Sequence, residues 1–158
     1  MMLKRFFKPI DDRLLRGLIA GLAAGFIKDI PDLLPRKWFH LKQLDFWDYI
    51  GEMALGDTSG KGWEAVVSFL IELGFSIGLG ILYVYLIAPK FPTRHHLLRG
   101  VFYGCSCWFI LISIIKLYRI NELIPKDSLT PLITLLMSAA YGWLVAYIDH
   151  ACRGAAGD

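Results

Sequence analysis

From Ala65 to Pro89 the chain runs for twenty-five residues, AVVSFLIELGFSIGLGILYVYLIAP, with a single charged side chain, Glu72. At about 1.5 Å per residue, a helix of this length exceeds the roughly 30 Å hydrocarbon core of a bilayer. A membrane-spanning strand would alternate apolar with polar residues, and this run does not. Three further apolar stretches occur, with the polar residues gathered between them. Too little polar surface remains to wrap four such helices in water. The fold class expected is all-α: a polytopic membrane protein, a four-transmembrane-helix bundle with amphipathic interfacial segments. The spans fall at about 12–33, 64–88, 95–117 and 129–148, with an interfacial connection over 35–61.

Composition agrees with one bundle and no second folded domain: 158 residues form a single membrane domain, 1–158, with 56% hydrophobic and 20% charged residues. The formal charge of +3 sits mainly in the N-terminal region and is no nucleic-acid signature. Cys105 and Cys107 fall inside a predicted span and Cys152 near the end of the chain. A structural disulfide is not expected, and two thiols make no recognisable metal motif. No cleavage site precedes a separate mature domain, so the first span is expected to serve as the uncleaved insertion signal.

Lys4, Arg5, Lys8, Arg13 and Arg16 surround Phe6, Phe7 and Ile10, the pattern of a short segment lying at anionic headgroups. Asp11 and Asp12 stand where a cap for the first helix belongs. In that helix Gly17, Gly21 and Gly25 form GxxxGxxxG, a flat groove for close approach of another backbone, before Pro31 and Pro35 end it. Gly100 and Gly104 in the third span, with Ser138 and Gly142 in the fourth, supply further small packing positions. The connection interleaves Trp38, Phe39, Phe46, Trp47 and Tyr49 with charged residues, which predicts one or two short interfacial helices anchored by aromatic rings at headgroup depth. Its end, GDTSGKG, is one residue short of a phosphate-binding loop, has Gly62 at the Ser/Thr position and lacks a parallel-strand context. The match is rejected. The adjacent His95 and His96 lie in a basic turn with no marked partners for a metal. No metal site, cofactor or catalytic nucleophile–base pair is expected.

Ser68, Glu72 and Ser76 recur at every fourth position of the second span and should face protein or water, because a carboxylate in hydrocarbon costs several kcal/mol. Even-numbered crossing puts both termini on one side. The density of Lys and Arg near the first span and the middle turn favours the cytoplasm for them. Whichever way the chain inserts, the end of the first span, the start of the second and the end of the third share a side. Lys28, Asp29, Ser68, Glu72, Ser76 and Lys116 are therefore expected in one polar pocket, with Glu72 paired to Lys28 or Lys116. Arg16, Arg99, Asp149 and His150 form a second charged group at the opposite side.

Arg16 to Asp32 and Leu98 to Trp108 resemble the glycine-rich first span and small-residue third span of uncharacterised four-span membrane proteins of endospore-forming bacteria. That resemblance implies a bacterial plasma membrane and no particular activity. Three functions are open. The first is a non-enzymatic assembly or scaffold subunit, oligomeric with itself or joined to another membrane protein through its glycine grooves. The second is a small oligomeric channel or transporter with a polar path past Glu72. The third is a membrane-embedded enzyme or a lipid-binding protein with its site below the aromatic connection. Membrane lipids are expected partners in all three.

Overall fold

The computed structural model describes residues 10–33, 46–56, 62–90, 95–120, 123–124 and 128–153, apart from the side chains of 31–33 and 46–48. Among these residues five helices follow in order: α1 (Arg13–Leu33), α2 (Phe46–Leu55), α3 (Trp63–Leu82), α4 (His96–Leu117) and α5 (Leu129–Arg153), with α3 prolonged by a π-helical turn over Tyr83–Ile87. Trp38 and Phe39 lie outside the described residues.

Local chemistry sets the helix ends. Asp12 caps α1, its Oδ1 accepting from the backbone N–H of Leu14 at 2.8 Å and of Leu15 at 3.4 Å. The end of α4 is turned by Arg119, at φ +53°, and the N–H of Ile120 then donates to the carbonyl of Ile115 at 3.2 Å. This is the six-to-one bond of a Schellman ending, with Ile120 packed back on the cluster holding Ile115, as that motif favours. The π-turn closes through Ala88 N–H to the Tyr83 carbonyl at 2.9 Å. Arg99 of α4 braces it, donating to the Tyr83 hydroxyl at 3.2 Å and the Ala88 carbonyl at 3.4 Å.

Two antiparallel pairs, α1 with α3 and α4 with α5, are joined by α1 against α5, while α2 lies on α3. Glycine decides the closeness of both pairs. A Cβ on Gly17 would meet Ile81 Cα at 2.7 Å, and one on Gly21 the Ser76 carbonyl oxygen at 2.6 Å. In the other pair, a Cβ on Gly104 would fall on the Ser138 carbonyl oxygen, and one on Gly100 on that of Gly142. Backbone therefore touches backbone along both seams, the arrangement small residues make available in lipid. Between the seams sits a core of Ala20, Ala24, Tyr83, Val84, Tyr103, Tyr141, Val145 and Ala146.

Among the described residues, three helices are long and apolar enough to cross a membrane: Trp63–Ile87, His96–Leu117 and Leu129–Arg153. Leu70, Phe102, Phe109, Ile110, Leu132 and Leu136 point outward from them, the surface a bilayer would solvate. The first helix, α1, carries Arg16, Lys28 and Asp29 and does not meet that standard of apolarity. Helix α5 runs five residues beyond the expected Ile148, because Asp149 is buried and Arg153, one turn on, donates to its Oδ2 at 3.1 and 2.7 Å.

Candidate functional site

On α1 the buried positions follow two rows of four-residue steps: Gly17, Gly21, Gly25 and Asp29 on one, Ala20, Ala24 and Lys28 on the other. The small-residue face that packs on α3 thus continues into two charged residues. On α3 the buried row is Ser68, Glu72, Ser76 and Gly80. Because α1 and α3 run antiparallel with Gly21 and Gly25 at Ser76, the next turn of α1 brings Lys28 to Glu72.

There Lys28 Nζ donates to Asp29 Oδ1 at 2.6 Å and to Glu72 Oε1 at 2.8 Å, and the Ser76 hydroxyl donates to the same Glu72 oxygen at 2.9 Å. Lys28, Asp29 and Glu72 are 7%, 0% and 3% exposed. Two carboxylates face one ammonium. Each carboxyl keeps an oxygen, Asp29 Oδ2 and Glu72 Oε2, without a donor among the described residues. The two carboxyls are thus held next to each other by hydrogen bonds to the same ammonium.

A cavity of about 50 Å³ lies against this network, room for a few water molecules. Lys28, Glu72 and Ser76 form its polar wall, Tyr49 of α2 closes it at one side, and Cys107 and Tyr141 reach it from α4 and α5. The helices around it are pinned by hydroxyls: Tyr141 donates to the Ser76 carbonyl at 2.6 Å, Tyr103 to that of Leu79 at 2.7 Å. Trp108 Nε1 reaches Thr134 Oγ1 at 3.0 Å.

Of the expected pocket, Ser68 is buried one turn away and does not line the cavity, and Lys116 is exposed at the end of α4. Lysine 116 stays out because α3 is seamed to α1, not to α4, so the cation that reaches Glu72 comes from α1. Tyr49 is buried at 2%, in a cluster with Ile115 and Leu123. The side chains of Phe46 and Trp47 lie outside the described ones. Gly17, Gly21, Gly25, Gly100, Gly104, Ser138 and Gly142 all stand at helix contacts within this one chain.

The opposite end holds Asp149, 2% exposed, with Arg153 on one oxygen and Arg16 Nε at 3.5 Å from the other. Arg16 also donates to the Ile10 carbonyl at 3.2 Å, and Ile10 N–H to that of Cys152 at 3.0 Å. His96 stacks on His150 with ring centroids 4.0 Å apart. The sequence singles out Arg16, Asp149 and His150 but not Arg153, whose signal is its four-residue spacing from Asp149.

Among the described residues no group of three His, Cys, Asp or Glu is arranged to hold a metal ion. Comparison with protein-family models, curated proteins and solved structures finds no match to this chain.

Proposed function

We propose that the protein is a small channel or transporter, working as an oligomer, with a polar path that passes Glu72. One observation carries this: three charged side chains, two of one sign, kept beside a water-sized cavity inside an apolar bundle. Such groups are expensive in a membrane interior, and they mark ion pathways more often than they add stability. In this view α1 is a fourth span. Its 21 residues are about 31 Å long, and its charges cross buried against α3 and α5. Four helices leave no room for a wide pore in one copy, so passage involves more than one. Both termini would then lie in the cytoplasm, with the density of Lys and Arg near the first span in support.

The assembly role has weaker support. Its glycine surfaces are engaged inside the chain, and only Gly74 and Gly78 of the span glycines meet nothing within 4 Å. Lipid binding has one observation behind it: an outward groove of about 510 Å³ along α4, with Leu98 and Phe102 below Arg99 and His95. That groove is at the end away from α2.

Reconstitution of the full chain in liposomes loaded with pH- and potential-sensitive dyes tests the proposal. Flux above that of empty vesicles is expected, and Glu72→Leu should abolish it. Vesicles no leakier than controls under every ion gradient tried would overturn transport and leave assembly as the better account.

A further inference from the structure

We propose that Asp29 and Glu72 together bind one exchangeable proton, held between Asp29 Oδ2 and Glu72 Oε2, while Lys28 ties down their other two oxygens. This names the ion for the path past Glu72, and only its transport half rests on that function.

The geometry carries it in three steps. First, charge: with both carboxyls ionised the site holds two negative charges against one positive, and neither side chain is more than 3% exposed. Among the described residues, Lys28 is the only cation lining the cavity. From α2 it is faced by Tyr49, from α4 by Cys107 and Trp108, and from α5 by Ser138 and Tyr141. None of these groups carries a positive charge, so none offsets the remaining negative one. Like charges in low dielectric cannot both persist at close range, and one proton relieves the conflict. Second, hydrogen bonding: each of these two carboxyls has one buried oxygen, Asp29 Oδ2 and Glu72 Oε2, that accepts from no donor among the described residues. A proton covalent to one carboxyl donates to the other and satisfies both at once.

Third, selectivity by size and charge. A metal cation would need several oxygen ligands where an ammonium already lies 2.6 and 2.8 Å from the carboxylates. A cavity of about 50 Å³ admits water and excludes an organic solute. Glu72 lines that cavity, so a hydronium ion there protonates the pair and becomes water, and release is the reverse step. Asp29 is fully buried and does not line it.

Infrared difference spectroscopy of the full chain in lipid nanodiscs, titrated with acid and base, reads the proton directly. Wild type should show a carboxylic-acid carbonyl band at neutral pH that shifts with isotope-labelled aspartate or glutamate and disappears at alkaline pH. Asp29→Asn and Glu72→Gln should each lose it. Asp29→Asn is the safer variant: its amide supplies the missing donor to Glu72, so the fold survives without a proton. Thermal stability gives a second reading. An unfolded carboxyl gives up its proton at about pH 4, while the native pair keeps it to neutral pH. Wild type should therefore lose stability progressively as pH rises from about 4 to the pH at which the band disappears, and level off above it, while Asp29→Asn shows no such loss. No carboxylic-acid band, or one unchanged in both variants, overturns the proposal. The dye-loaded vesicles separate the two claims. A band without flux keeps the proton site and defeats transport, whereas flux without a band does the reverse.

Discussion

Among the described residues each end of the bundle holds one ion-paired trio, and the two trios have opposite proportions. At one, two carboxyls share Lys28; at the other, Arg16 and Arg153 share Asp149. The difference lies in what surrounds the surplus charge. Arg16 and Arg153 have side chains 12% and 23% exposed, long enough to keep part of each guanidinium in water or headgroups. Asp29 and Glu72 have short arms and lie at 0% and 3%. A surplus positive charge at the open end is screened, while a surplus negative charge at the closed end must be neutralised on site. Similar composition thus yields a structural clasp at one end and a site with a chemical demand at the other.

Removing the shared partner at the closed end is the strongest way to break this contrast. Lys28→Met leaves two buried carboxyls with no cation and should cost about 3–5 kcal/mol of bundle stability, read by denaturant unfolding in detergent. A loss below about 1 kcal/mol would mean that water reaches the site freely. Next in size are the seams on which both ends hang. Gly104→Ala and Gly21→Ala should each cost about 1–3 kcal/mol, because the added methyl meets backbone that cannot give way. Gly78→Ala, which meets nothing within 4 Å, should change stability by no more than about 0.5 kcal/mol, and a larger effect would reveal a partner on that face. At the open end Asp149→Asn should cost about 1–2 kcal/mol by thermal melting, since the freed arginines can turn outward. Smallest of all, Arg153→Met should cost about 1 kcal/mol or less and should weaken further in high salt.

Much of the helical layout could be read along the chain. Unbroken apolar length marks three of the helices, and small residues every fourth position mark the faces that meet. Even the charged residues of α1 carried a signal: Asp29 and Lys28 continue the rows begun by Gly17 and Ala20. Other features were not legible, for definite reasons. In α2, a helix of ten residues, periodicity cannot say which aromatic turns inward, and Tyr49 does so against Ile115 and Leu123. Asp149 looks like a helix end because it is charged. It is instead buried, by an arginine from the first helix.

By itself, then, the amino-acid order determined where the apolar helices lie, which of their faces permit backbone contact, and that Glu72 needs a partner. These follow from short-range periodicity and from the cost of charge in hydrocarbon. Only the tertiary structure decided that the partner is Lys28 and not Lys116, that Asp29 joins it, and that a cavity touches the pair. Those facts depend on which helix lies against which, and antiparallel seams of nearly equal glycine content can be matched in more than one way until the whole bundle is packed.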